Sequence, residues 1–141
     1  MKITPNAIFH CDCLSLLERL DSSSINLVYL DPPWLSEDSF ISSEVQEKEY
    51  SSGYQKNIVG NDKAFNEYIN FLSKVLQQSY RVLTDSGNIF IHVSPYIGGF
   101  IRILLDENFT RRGFRNEFII PYFRKARLSK GNPSHSSILF Y

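Results

Sequence analysis

Asn26-Leu27-Val28-Tyr29-Leu30-Asp31-Pro32-Pro33-Trp34 is the stretch that decides how this chain reads. Asn26 to Leu30 is a short apolar run with the length and composition of a buried strand. It ends in an acid, two prolines and a tryptophan. The prolines fix φ and withdraw backbone donors, so the turn is rigid and presents carbonyl acceptors. Asp31 adds an acceptor carboxylate and Trp34 a flat indole face. Such a set suits a planar ligand with an exocyclic amino group. The carboxylate and a turn carbonyl take its two N–H bonds while the indole stacks on the ring. The plain alternative is an ordinary strand-to-loop turn in which Trp34 covers the core.

Upstream, Ala7-Ile8-Phe9-His10-Cys11 reads as a second buried strand, ending at Asp12. Leu14, Leu16, Leu17 and Leu20 mark a short helix between the two, closed by Asp21-Ser22-Ser23-Ser24. Strand, helix, strand within about 25 residues is the βαβ pattern of a parallel sheet. Ligands of open α/β sheets sit beyond the carboxyl ends of the strands, so Asp12 and Asp31 both point toward a site.

Downstream, residues 35–62 carry serines, glycines and a charged run, Glu44 to Glu49, with no sustained period. They read as a mobile loop, since so long an unpatterned segment is usually a lid, a binding loop or disorder. Asn61 and Asp62 offer N-caps for the longest helix. Phe65, Tyr68, Ile69, Leu72, Val75, Leu76 and Leu83 form its apolar face. Asp85-Ser86-Gly87 stops it, and Asn88 to Val93 is the next strand. Phe100 to Leu105 suggests a helix reaching Phe109. Two strands follow, Glu117 to Phe123 and Ser137 to Tyr141, flanking a basic connection. The expected architecture is one α/β domain over residues 1–141, a mostly parallel sheet with a strand pair at its edge.

Composition sets outer bounds. The 141 residues are 43% hydrophobic, with 11 Phe and 8 Tyr, which suffices for one packed core and argues against general disorder. No run nears the roughly 18 apolar residues of a membrane span, and the N-terminus lacks a signal-peptide pattern. A cytoplasmic protein with no membrane partner is expected. Cys11 and Cys13 are too few and too close for a disulfide framework. Beside His10 they lack the second ligand cluster that zinc would need, so no metal is expected.

The 15 Lys and Arg equal the 15 Asp and Glu. That balance conceals a division: residues 1–110 hold 8 basic against 14 acidic side chains, residues 111–141 hold 7 against 1. Arg111, Arg112, Arg115, Arg124, Lys125, Arg127 and Lys130 are opposed only by Glu117. Such a cluster suits phosphate neutralisation. The bland reading is a solvated edge hairpin whose charges discourage aggregation.

With these residues in view, the sequence resembles the DNA methyltransferases that act on adenine N6 or cytosine N4, in the permuted subgroup with an N-terminal catalytic motif. Asp31-Pro32-Pro33-Trp34 is similar to that family's (D/N/S)PP(Y/F/W) motif. His10-Cys11-Asp12-Cys13-Leu14 with Leu16-Leu17 resembles its acidic strand end and leucine-rich helix. Arg81-Val82-Leu83, Gly87 and Ile89 to Val93 resemble its next helix, turn and strand. Phe114-Arg115-Asn116-Glu117 and His135 to Tyr141 resemble the strand pair that follows.

The resemblance implies a partial Rossmann-like fold and methyl transfer from S-adenosylmethionine to the amino group of a flipped DNA base. Asp31, Pro32, Pro33 and Trp34 would be catalytic, with Asp12 and Asp31 near the cofactor. Arg115, Arg124, Lys125, Arg127, Lys130 and His135 would meet DNA, and Arg127 and His135 would approach the base pocket. Aspartate as the first motif residue tilts the expectation toward adenine N6, in a restriction-modification setting. The family's glycine-rich FxGxG cofactor turn is not in this sequence; in the permuted order it lies C-terminal to everything seen here. A truncated chain is the favoured explanation, with a split enzyme completed by a second polypeptide and a degenerate homologue as alternatives. Weak or absent S-adenosylmethionine binding by this chain alone is expected. Two other functions fit: a non-catalytic nucleic-acid- or partner-binding module, and an RNA adenosine N6-methyltransferase, which also uses a DPPW motif.

Overall fold

The structure is a computed structural model that describes residues 6–33, 62–121 and 135–141. Trp34, the segment read as a mobile loop up to residue 61, and Arg124, Lys125, Arg127 and Lys130 lie outside the described residues. In chain order the elements are α1 (Cys13–Arg19), β1 (Ile25–Leu30), α2 (Asp62–Val82), β2 (Leu83–Val93), α3 (Gly98–Phe109), β3 (Asn116–Pro121) and β4 (His135–Phe140). A 3₁₀ turn, Arg111–Gly113, precedes β3.

The four strands form one sheet in the order β1-β2-β4-β3. β1 and β2 are parallel; β4 runs antiparallel to both β2 and β3. Three strands therefore point one way and β4 alone is reversed, which matches the expected mixed sheet with a strand pair at its edge. The carboxyl ends of β1, β2 and β3 share one rim with the start of β4.

Strand alternation gives the sheet two faces. Val28, Ile89, Ile91, Val93 and Leu139 line one and pack into the core with Tyr68, Leu72 and Leu76 of α2 and Ile101, Leu104 and Leu105 of α3. The three- and four-residue spacing of apolar side chains gives α2 a continuous face for this contact, and Ile101, Leu104 and Leu105 do the same for α3. The opposite face carries Leu27, Tyr29, Phe90, Phe118, Ile120, Ile138 and Phe140, by the same registers. Leu27 is 58% exposed, Tyr29 56% and Phe118 44%. Phe90 stacks on Phe140 with ring centroids 4.3 Å apart.

Two local expectations change. Ala7 to Cys11 is not a strand; residues 6–11 are exposed, Ile8 almost completely. A five-residue apolar run becomes a strand only where a neighbour satisfies its backbone N–H and C=O groups, and among the described residues none does. The second change concerns Leu83, read as the end of the long helix's apolar face. It opens β2 directly after Val82, five residues before the expected start. Its pairing with Ile25, followed by the jump to Leu27–Asn88, absorbs residues 84–87 as an irregularity in the ladder. Gly87 sits there because a Cβ would lie 2.8 Å from Leu83 Cδ2 and 3.0 Å from the Thr84 carbonyl oxygen.

Arg81 ties the helices together. Its guanidinium donates to the Leu17 carbonyl at 2.8 Å and to the Leu20 carbonyl and Ser22 Oγ at 3.0 Å. The Leu17 carbonyl already accepts the Leu20 backbone N–H at 3.0 Å, so Arg81 adds a second donor there and supplies one to the Leu20 carbonyl just past the end of α1. Among the described residues no helix is long and apolar enough to cross a membrane.

Candidate active site

Asp31 follows the last residue of β1, on the rim where open α/β sheets receive ligands. The register pairs Leu30 with Ile91, so Asp31 comes alongside His92 near the end of β2. Asp31 Oδ1 lies 3.2 Å from His92 Nδ1, and the Asp31 side chain remains 59% exposed. The other ring nitrogen, Nε2, lies 2.8 Å from Ser136 Oγ on β4. Ser136 is fully buried. A carboxylate, an imidazole and a hydroxyl thus form a line across three strands.

The proline turn is pinned from below. Tyr68 in α2 donates its hydroxyl to the Pro33 carbonyl oxygen at 2.7 Å. Tyr68 is completely buried, and burial pushes its hydroxyl well above the ordinary tyrosine range. It therefore stays a donor at any physiological pH. The turn's carbonyl acceptors are legible in the sequence; the hydroxyl that holds one of them is not. Spacing alone marks Tyr68 only as part of an apolar face, although a buried tyrosine needs a partner for its O–H.

The remaining expected site residues divide. His135 opens β4 on the Asp31 rim. It lines a cavity of about 300 Å³ with Ser94, Pro95, Gly98, Arg102 and Glu117. Arg115 is exposed and precedes β3 at the opposite rim, donating its backbone N–H to the Phe140 carbonyl at 2.9 Å. It borders a separate hollow of about 400 Å³ with Arg81, Asp85, Gly87 and Asn88. β3 spans six residues, about 20 Å at the usual strand rise, so Arg115 and His135 do not converge on one site.

Asp12 does not end a strand. It is the N-cap of α1, and its Oδ1 accepts from Ser15 N at 2.9 Å. A short polar side chain just before a helix satisfies one of the orphan N–H groups there. Its position as a strand-end acid is therefore corrected, and the carboxylate serves the helix. Cys11 and Cys13 are free thiols, and burial, with Asp12 adding, raises the Cys13 thiol. Among the described residues no group of three His, Cys, Asp or Glu side chains could hold a metal ion.

The DNA methylase family profile for N6 and N4 methyltransferases matches residues 25–141. Type II methyltransferase M.EcaI of Enterobacter cloacae is 31% identical over 118 residues, 81% of this chain and 24% of that protein. Among solved structures, TTHA0409 of Thermus thermophilus, a candidate DNA modification methylase complexed with S-adenosyl-L-methionine, superposes with a TM-score of 0.62 at 16% identity. That match covers 92% of this chain and 49% of the other. The PvuII DNA methyltransferase, cytosine-N4-specific, gives a TM-score of 0.55 at 17% identity, covering 92% of this chain and 46% of its own. These two likenesses show the shared fold. The chain spans about a quarter to a third of the length of the curated relatives it matches. With the profile matched from β1 to Tyr141, the chain belongs to the family of amino-methylating DNA methylases.

Proposed function

We propose that this chain is the acceptor-base half of a DNA methyltransferase, holding the exocyclic amino group of an extruded base for methylation by S-adenosylmethionine. The observation that carries the reading is the rigid Asp31-Pro32-Pro33 turn, anchored by Tyr68 at the carboxyl rim of a methylase-type sheet. An aromatic amine is a poor nucleophile because its lone pair is delocalised into the ring. Hydrogen bonds from its two N–H groups to the Asp31 carboxylate and the Pro32 carbonyl favour a tetrahedral nitrogen with a localised pair. Trp34 would stack on the base, a contact worth about 1–3 kcal/mol. Extrusion is required because the amino group is inaccessible in a stacked duplex.

The residues fit the amino group better than they fit the cofactor. Asp12 is engaged at the start of α1, and the sequence carries no FxGxG turn. S-adenosylmethionine supplies an already activated methyl group, and this chain's part is to hold and orient its acceptor. The cofactor cradle is proposed to come from a further polypeptide segment, linked or separate. The exposed aromatic face and the greater length of the relatives support it.

Adenine N6 is the proposed target, on the aspartate of the motif, and a restriction-modification role accords with the type II relatives. Cytosine N4 is the second reading, favoured by the name of the PvuII neighbour. His135 and the basic residues from Arg115 to Lys130 are proposed DNA contacts; strand alternation puts His135 on the face that α3 covers, opposite His92 and Ser136. The test is transfer of labelled methyl to duplex DNA and to single-stranded RNA, with and without a polypeptide carrying the other half of a relative. Base analysis of the product should show N6-methyladenine in DNA. N4-methylcytosine favours the second reading, RNA methylation moves the substrate class, and no transfer under any condition overturns the enzyme reading.

A further inference from the structure

We infer that His92 is a positioning residue for Asp31, held in turn by Ser136, so that the orientation of the acceptor carboxylate is set across three strands. The inference deepens the proposed function and rests on Asp31 accepting the amino group.

For a neutral ring, the two contacts point to the nitrogen that carries the proton. A carboxylate only accepts, so the 3.2 Å contact to Asp31 Oδ1 requires a proton on His92 Nδ1. In the neutral ring Nε2 then accepts, and Ser136 Oγ at 2.8 Å is the hydroxyl able to donate to it. Ser136 is completely buried, and a buried hydroxyl without a partner is costly, so this bond selects the tautomer from below. The order is therefore Ser136 O–H to Nε2, and Nδ1–H to Asp31 Oδ1. Backbone register supports the same arrangement: Asp31 follows the Leu30–Ile91 pair, while His92 lies opposite Ile138, two residues from Ser136.

Asp31 needs such a support. Its side chain is 59% exposed and follows the last ladder residue, so the sheet alone does not fix its rotation. His92 is only 18% exposed and sits within β2, on an element locked on both sides. An imidazole N–H on Oδ1 holds the carboxylate plane against a rigid strand. Asp31 is rigidified from β2 and the prolines from α2, through Tyr68, so two independent anchors set the turn. Misplacement of a reacting group by about 1 Å costs on the order of 100-fold in rate.

The test has two arms. Nitrogen-15 spectra of the histidine-labelled full chain, with His92 assigned by its loss in His92→Asn, report the tautomer of the neutral ring. A proton on Nδ1, the minority form of a free imidazole, is expected, and Asp31→Ala should weaken that preference while Ser136→Ala together with Asp31→Ala should abolish it. A proton on Nε2 in the wild-type chain overturns the inference. The second arm measures kcat and KM for methyl transfer to DNA by the full chain with the other half of a relative supplied. His92→Ala should lower kcat about 10- to 100-fold with KM for DNA little changed. His92→Asn, which keeps a donor at the Nδ1 position, should recover most of the loss, and His92→Gln, which places its amide at the Nε2 position, should not. Wild-type kcat in His92→Ala beside an inactive Asp31→Ala overturns the positioning role and leaves the enzyme reading intact. No transfer by the wild type contradicts the enzyme reading instead, and the tautomer then decides the contact alone.

Discussion

Both faces of the sheet carry large apolar side chains, and they are treated differently. One is sealed by α2 and α3, with Leu76, Ile89, Ile91, Ile101 and Leu105 at 0% exposure. The other presents Leu27, Tyr29 and Phe118, each more than 40% exposed, around the stacked pair Phe90 and Phe140. Monomeric proteins rarely leave contiguous aromatic surface of this kind uncovered, and parallel sheets are normally covered on both sides. β1 shows the contrast within six residues: Val28 is buried at 7% while Leu27 and Tyr29 on either side are not. Among the described residues, the packed core lies on one side of the sheet only. The candidate site lies on the other side's rim, where His92 and Ser136 share the face of Phe90 and Ile138 by register.

Truncation of a leucine on each side of the sheet gives the sharpest contrast. Leu76→Ala, beneath the sheet, should cost about 2–5 kcal/mol in urea unfolding of the chain. Leu27→Ala on the exposed face should fall within about 0.5 kcal/mol. Equal losses would mean that both faces are packed, and the distinction would fail. Next in size is Gly87→Ala at the ladder irregularity between β1 and β2. The added methyl meets backbone oxygen and Leu83 at close range, and a loss of about 1–3 kcal/mol is expected. A melting temperature equal to the wild type's would show that the ladder can shift there.

How much of this is legible in the sequence depends on what kind of information fixes it. The period of α2, the run from Leu27 to Leu30 and the terminal strand pair are local patterns, and each becomes the element expected. Ala7 to Cys11 has the composition of a strand yet lacks a ladder neighbour among the described residues, which no window of sequence reports. Leu83 has the right spacing for the helix, but its pairing with Ile25 claims it for β2. At the site, Asp31 and the prolines declare themselves by chemistry. Tyr68 and His92 do not, because their roles arise from separations of 35 residues to Pro33 and 44 to Ser136. A tyrosine in an apolar stripe and a histidine within a strand are the available signals. Both are polar tips that burial obliges to find a partner.

Smaller effects sharpen the comparison where the sealed face meets the site. Tyr68→Phe removes the donor to the Pro33 carbonyl while keeping the ring in the core. The expected loss is about 1 kcal/mol in unfolding, with a much larger effect on methyl transfer. A matching loss in both would reduce Tyr68 to a packing residue. At the far end of the core, the Tyr141 hydroxyl donates to Asp106, whose carboxyl is held below its ordinary value by that bond and by Arg102. A carboxylate depressed in the folded state stabilises above its unfolded pKa and loses that contribution as pH falls through the folded value. Tyr141→Phe should therefore destabilise the chain by about 1 kcal/mol at neutral pH, with the difference shrinking below about pH 4. A difference that does not change with pH would remove Asp106 from the explanation.

The central claim is that Asp31 at the end of β1 accepts the amino group of the base to be methylated. The direct measurement is transfer of labelled methyl from S-adenosylmethionine to DNA by the completed enzyme, wild type beside Asp31→Ala, with circular dichroism and melting recorded on both. The account predicts that Asp31→Ala keeps the wild-type fold and melting behaviour and abolishes transfer. Turnover at the wild-type rate in Asp31→Ala would contradict it.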